Sequence, residues 1–400
     1  MPTAIFWFCA FIIFYTYAGY PLILAFLAKL TKKEQNDLAD SPSVSLIIAA
    51  YNEQDFIEKK LQNCLELNYL NNRYQVIIAA DGSSDRTVEI AQQWIKSLPP
   101  TMQSNFVINH IPDRQGKMAA IKRAVPLANG EILVFSDANN LYQPQTLAEL
   151  VAPFSDPNVG GVSGAKQIIQ EGDALGQSEG LYWKYESQIK EWETRISSCT
   201  SASGEIIAIR KSLYEPPPSN IINDDFFMAM MIIRKGARFV YAPSAKSFET
   251  VSKTANDEIL RRERIVAGRY QAIALAPRIL PWKYPLVVWQ VFSHKFIRPF
   301  LPFAMIGLLV TNVWITIFPD NGIGSGYTLS KPVSTIFLLL QCVFYLLAWI
   351  GTHFTNSGKI GKLLYIPTFL VNSNYAALSG ALRYFRRQQT TNWTRVQRRT

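Results

Sequence analysis

Acidic residues stand just beyond apolar runs in the middle of this 400-residue chain. Asp81-Gly82-Ser83-Ser84-Asp85 follows Val76–Ala80, and Asp137-Ala138-Asn139 follows Ile132–Phe135. Asp-Gly can be a plain turn, with Ser84 or Asp85 capping the next helix; a carboxylate in the place of Asp81 can equally hold a nucleoside's base or ribose. Asp137 and Asn139 can cap a helix. Alternatively, one carboxylate and one neutral carbonyl hold Mg²⁺ or Mn²⁺ beside a diphosphate, a weaker set than Asp-x-Asp. Asp224-Asp225 satisfies the dipole of the helix it opens. The chemical alternative is that one of the two accepts a proton from an attacking hydroxyl, its neighbour disfavouring full ionisation of the pair. Among the bases, Arg114, Gly116 and Lys117 make a solvated turn, or Lys117 and a helix N-terminus face an anion. Arg261, Arg262 and Arg264 form a solvated or lipid-facing patch, or Arg264 stabilises a departing diphosphate.

The elements around these residues alternate. Val44–Ala50, Val76–Ala80, Phe106–Asn109 and Ile132–Phe135 read as buried parallel strands. Gln54–Leu67, the stretch from the Ser84/Asp85 cap through Trp94, Lys117–Leu127 and Phe226–Lys235 carry helical patterns. The pattern predicts a doubly wound α/β sheet, with ligands beyond the carboxyl ends of the strands. There stand Tyr51, Asn52 and Glu53, then Asp81, then Asp137 and Asn139.

Apolar residues gather at both ends. Ala4–Ala28 runs without a charge, enough to cross a bilayer, within an anchor over 1–30. Nothing basic precedes it, and Lys29, Lys32 and Lys33 follow, so the reading is a retained anchor leading into the cytosol rather than a signal peptide. A cytosolic domain over 43–276 follows, then an amphipathic interface helix over 284–298. A membrane region over 300–382 has spans at 300–318 and 333–350 and a third apolar segment, 363–382, read as re-entrant or interfacial; the alternative is that the stretch near Trp289 itself spans. The link Pro319–Pro332 carries only Asp320 and Lys331, as an outer loop should, and the basic tail 383–400 is expected in the cytosol.

Composition narrows the function classes. A net charge of +10 suits an inner-face membrane protein or an anionic substrate, and no basic stripe interleaved with aromatics supports nucleic acid binding. Four scattered cysteines and three distant histidines argue against a disulfide framework and a zinc site. No Gly-x-Gly-x-x-Gly follows the first strand, which disfavours a dinucleotide oxidoreductase. A non-catalytic scaffold or transporter subunit would leave the ordered acids unexplained.

The succession Val44–Glu53, Asp81–Asp85, Gly116-Lys117, Asp137–Asn139, Ser203-Gly204, Asp224-Asp225 and Arg261–Arg264 resembles the family 2 inverting glycosyltransferases, most of all the membrane-bound branch with cellulose, hyaluronan and poly-N-acetylglucosamine synthases. The resemblance implies a Rossmann-like GT-A domain flanked by transmembrane helices at the inner membrane. It implies a nucleotide-sugar donor, with UDP expected, and a glycan or lipid-linked acceptor. Tyr51, Glu53 and Asp81 would hold the nucleoside, Lys117 would approach the donor, and Asp137 with Asn139 would hold the metal. Asp225 becomes the general base beside Asp224, and Ser203 and Gly204 lie on the acceptor side. The family's Gln-x-x-Arg-Trp stands here as Arg261-x-x-Arg264-Ile265, so the tryptophan under a growing polymer is missing. Trp183 and Trp192 either replace that platform or are core aromatics at helical spacing.

Overall fold

The computed structural model describes residues 1–31, 41–69, 73–168, 174–249, 255–318, 329, 331–353 and 359–386. Most of the expected outer link and residues 387–400 of the basic tail lie outside them.

Helix α1 (Pro2–Phe14), a π-helical turn (Tyr15–Gly19) and α2 (Tyr20–Leu30) make one 29-residue apolar run. Phe8, Phe11 and Phe14 project outward from it, as a lipid-facing surface requires.

The central sheet has the order β3-β2-β1-β4-β7-β6-β8-β5. Strands β1 (Val44–Ala50), β2 (Tyr74–Asp81), β3 (Phe106–Ile111) and β4 (Ile132–Asp137) pair in parallel. Helices α3 (Ile57–Leu65), α4 (Thr87–Ser97), the short α5 (Pro100–Gln103) and α6 (Lys117–Ala124) connect them. The continuous apolar runs have one cause: both faces of each strand are covered. Leu46, Ile48, Val76 and Ile78 pack on the side of α3, while Ile47, Ile77, Leu133 and Phe135 pack on the side of α6. Complete burial of each such side chain contributes roughly 1.5–3 kcal/mol.

The second half of the sheet is mixed. Strands β5 (Leu141–Tyr142), β6 (Val159–Ile168), β7 (Ile207–Arg210) and β8 (Arg238–Glu249) include antiparallel pairs β4–β7, β6–β7 and β5–β8. Helix α7 (Thr146–Val151) covers one face, and α9 (Asp224–Arg234) packs into the core on the other. The long α8 (Ala174–Ile196) leaves the sheet and meets α2, where Tyr20 and Leu24 pack on Ile189.

After α10 (Ala255–Ala274) and α11 (Ala276–Ile279) the chain re-enters apolar territory. Helix α12 (Pro285–Val291), a second π-helical turn (Phe292–Phe296) and α13 (Leu301–Ile317) lie within one apolar stretch of 33 residues, Pro285–Ile317. The separate interface helix expected over 284–298 thus runs on toward the next span. Helix α14 (Lys331–His353) is the third helix long and apolar enough to cross a membrane.

The third apolar segment, expected to be re-entrant or interfacial, lies within a helix and makes no re-entrant turn among the described residues. Residues Lys359–Phe385 form one continuous helix, α15, with Pro367 inside it. Two of its polar residues have partners on other helices: Arg262 on α10 donates to Ser373 Oγ, and Asn374 donates to Tyr17 Oη. Val266 and Tyr270 of α10 pack on Ala377 and Ala381, and Arg383 pairs with Glu263 at 3.0 Å. Polarity within this segment therefore reflects helix–helix contact rather than a break.

Candidate active site

Asp81 lies at the end of β2 and is only 3% exposed. Its carboxylate accepts the amide of Gly116 at 2.5 Å, that of Gln115 at 3.1 Å and the guanidinium of Arg123 at 3.1 Å. The loop before α6 is therefore folded back over the strand end. Gly82 makes this possible: its φ is +64°, and a Cβ there would sit 2.5 Å from the Arg114 amide. Asp85 takes the local role, accepting the Thr87 amide at 3.0 Å where α4 begins. Arg114 lies over the Tyr51 ring at 3.8 Å. Tyr51, Glu53, Asp81, Arg114, Lys117 and Asp137 line a small cavity of about 40 Å³ at the strand ends.

Lys117, at the first position of α6, reaches Asp137 Oδ1 at 2.5 Å. Burial alone would push its ammonium down; Asp137, Asp224 and Asp225 outweigh that and hold its pKa above the ordinary lysine value. Asn139 lies beside the pair and faces the same space. Sequence reasoning missed what fixes this turn. The buried Asn140 amide donates to Glu205 O at 2.9 Å and Ser247 Oγ at 2.7 Å. Its own oxygens receive the buried Lys60 ammonium at 2.8 and 3.1 Å. Burial brings Lys60 down to about 8. A lysine inside the otherwise amphipathic α3 was the available signal.

Asp224 and Asp225 open α9. Asp225 Oδ1 accepts the Phe226 amide at 2.7 Å, and Gly204 lies against the same carboxylate. Burial, then the neighbouring Asp224, raises the Asp225 pKa to about 6, against the pull of the Phe226 amide, Lys295 and Lys117. Helix α10 crosses this helix start at short range. Gly268 leaves room for the Asn223 side chain, which donates to Ile265 O at 3.1 Å. The crossing brings Arg261, Arg262 and Arg264 to the wall of a cavity of about 1150 Å³ that also holds Lys117, Asp137, Asn139, Asp224 and Asp225. Ser203 and Gly204 line it too, and Ser203 Oγ accepts the Lys190 ammonium at 3.2 Å.

Helix α8 divides the aromatic expectation. Trp183, Glu186 and Lys190 lie on its cavity face. Trp192 does not: with Tyr185, Ile189 and Ile196 it packs toward Tyr20, Leu24 and Trp289. The periodicity of α8 turns Trp192 onto the membrane helices, so its expected place beside an acceptor is corrected, and Trp183 is the tryptophan in the cavity wall. Residues read as interfacial enter the cavity instead. Lys295 donates to Ser201 Oγ at 2.6 Å, and Arg298 pairs with Glu186. His294 lies between Glu186 at 3.1 Å and Glu193 at 2.8 Å, and Tyr20 donates to Glu193 at 2.6 Å. Burial alone would raise Glu186, but Arg298, His294 and Lys295 hold it well below the usual carboxylate range. Charged residues within the apolar stretch after 284 were the signal, though their acidic partners lie about a hundred residues earlier.

The chain resembles known proteins along most of its length. It is 25% identical over 249 residues to the poly-beta-1,6-N-acetyl-D-glucosamine synthase of Staphylococcus aureus (strain MSSA476), covering 61% of this chain. The chain spans 58% of that synthase's length. The probable glycosyltransferase YdaM of Bacillus subtilis (strain 168) is 23% identical over 370 residues, 90% of this chain and 85% of the relative. The mannosyltransferase PcManGT from Pyrobaculum calidifontis, solved with GDP-Man and Mn²⁺, shares the fold: TM-score 0.72 at 22% identity, covering 97% of this chain and all of the other. The family description Glycosyl transferase family 2 matches residues 45–215, and Glycosyl transferase family group 2 matches residues 132–356. With acids at the strand ends, a paired acid at a helix start and a sheet of this topology, the chain is a glycosyltransferase and belongs to family 2.

Proposed function

We propose that this glycosyltransferase moves a sugar from a nucleotide-sugar donor to a hydroxyl of a membrane-associated acceptor, with inversion, at the inner face of the plasma membrane. The observation that carries the reading is Asp225: a carboxylate raised to about 6, in one cavity with the Lys117–Asp137 pair and Arg264. A base of that pKa is largely ionised at neutral pH and still takes a proton readily.

In this reading the nucleoside lies at the strand ends, against Tyr51, Glu53 and Asp81. Lys117 and Arg264 face the diphosphate. The acceptor oxygen attacks the anomeric carbon, its proton passes to Asp225, and the anomeric carbon–oxygen bond to the diphosphate breaks with its electron pair on the leaving group. Lys117 and Arg264 stabilise that charge. Asp224 keeps Asp225 basic enough to receive the proton. Among the described residues no three of His, Cys, Asp and Glu gather as a closed metal cage. Asp137 with Asn139 fits the open kind of site, in which one carboxylate and substrate phosphates complete the shell around Mg²⁺ or Mn²⁺. A bound ion there would neutralise diphosphate charge.

Two products fit the site. Similarity to a poly-N-acetylglucosamine synthase supports extension of a surface polysaccharide. Ile265 in the cavity wall, where a polymer platform would need an aromatic ring, supports single transfer to a lipid-linked acceptor. Membranes carrying the protein, incubated with labelled UDP- and GDP-sugars, should yield one labelled product whose size separates the two. Absence of any donor-dependent product across the panel contradicts the proposal.

A further inference from the structure

The cavity changes character where its walls come from helices outside the sheet. Four cations, Lys190, Arg269, Lys295 and Arg298, line this end. All lie close enough to Lys295 for like-charge repulsion. The acid facing them from α8 is Glu186, held by Arg298 and 3.9 Å from Lys295, and it also receives His294. Glu193 is turned away, satisfied by Tyr20, Thr200 and His294. The side chains of Lys295 and Arg298 are 12% and 10% exposed, so solvent screens this charge weakly. Lys190, Lys295 and Arg298, largely buried, together with the partly exposed Arg269 outnumber Glu186 and Asp225, the acids within their electrostatic reach, and such an excess is costly unless an anion joins it.

Two further features identify the anion's carrier. Phe369 and Leu370 of α15 wall the same cavity, so the ligand's next neighbours are apolar. None of the four cations lines the small cavity at the strand ends, where Tyr51 and Asp81 stand. Asp225 lies between the two regions, within electrostatic reach of Lys117 on one side and Lys295 on the other.

We infer that Lys190, Arg269, Lys295 and Arg298 form a second anion site, which holds the phosphate of a lipid acceptor and presents an alcohol hydroxyl of the headgroup esterified to that phosphate to Asp225. The inference rests on the transfer reading above and narrows its acceptor to phosphate-bearing lipids. The lipid chains lie along Phe369 and Leu370. The donor's diphosphate remains with Lys117 and Arg264. In the reaction the headgroup oxygen bonds to the anomeric carbon, its proton goes to Asp225, and the nucleoside diphosphate departs.

The test is binding to the full chain in detergent, without donor, using dioctanoyl phosphatidylglycerol, which has phosphate, hydroxyl and chains. Dioctanoylglycerol lacks the phosphate, and glycerol 3-phosphate lacks the chains. The phospholipid should bind at least about tenfold more tightly than either. Arg269→Gln and Lys295→Gln should each weaken it about tenfold while leaving UDP and GDP affinity within about twofold. Arg269 is partly exposed, so its variant keeps the test open if the Lys295 variant folds poorly. Equal binding of dioctanoylglycerol would mean an apolar groove only, and equal binding of glycerol 3-phosphate a site for soluble phosphates. Loss of nucleotide affinity in the variants would assign these cations to the donor. Each of those results overturns the inference. Failure of the transfer reading looks different: the unmodified protein would bind neither nucleotide, whatever its lipid binding.

Discussion

Replacing Asp225 with Asn separates catalysis from stability, because the two should move in opposite directions. With a pKa of about 6, Asp225 is roughly 90% ionised at pH 7 and roughly 10% at pH 5. The transfer rate of the unmodified protein should therefore fall about tenfold for each pH unit below 6. Asp225→Asn should lose about 10²–10⁴ of kcat and show no such acidic limb, since the proton acceptor is gone. Stability follows from linkage. The folded-state pKa lies above the unfolded value of 3.8, so the stabilising contribution of this carboxyl is complete below 3.8 and is lost as pH rises through about 6. At pH 7.5 the ionised Asp225 destabilises the fold by on the order of 2–3 kcal/mol, and Asn should relieve much of that. The assays are pH–rate profiles at saturating donor and thermal unfolding at pH 4 and pH 7.5. A variant that is less stable at pH 7.5, or that retains turnover with the same acidic limb, refutes the reasoning.

Chelation with EDTA should reduce transfer to background, with recovery on adding Mn²⁺ or Mg²⁺; full activity after exhaustive chelation would remove the metal role given to Asp137 and Asn139. Trp183→Ala should raise the acceptor KM, whereas Trp192→Ala should leave it alone and lower thermal stability by about 2–3 kcal/mol, because its ring packs on the membrane helices. Lys60→Met should cost about 3 kcal/mol in urea unfolding, since it strips the buried Asn140 oxygens of their donor; a smaller loss than 1 kcal/mol would mean that the turn holds Asp137 without it.

Strand β1 coincides with the apolar run Val44–Ala50, and β2, β3 and β4 each contain the run that announced them, because a strand buried on both faces leaves an unbroken hydrophobic trace. Strands β6 and β8 are interrupted by Gly160, Gly161, Gly164 and by Lys246, so their periods gave no comparable signal. The acids at strand ends were legible for the same reason as the strands: the sheet dictates where its carboxyl edge falls. The opposite wall was not. Whether Arg262 meets Ser373, or Arg298 meets Glu186, depends on how α10, α15 and the apolar stretch after Pro285 fold back on the sheet, and local patterning carries no information about partners over a hundred positions away. Trp183 and Trp192 make the point within one helix. Both fit an amphipathic pattern, and only the packing of α2 on α8 determines which ring is left to the cavity.

The central claim is single displacement at the anomeric carbon with Asp225 receiving the acceptor's proton, and the stereochemistry of the product tests it most directly. Using whichever donor in the labelled panel supports turnover, the anomeric proton coupling of the newly formed linkage can be read by NMR and compared with that of the donor. The account predicts the opposite configuration, a β-linked product from an α-linked donor. A product that keeps the donor's configuration would contradict it.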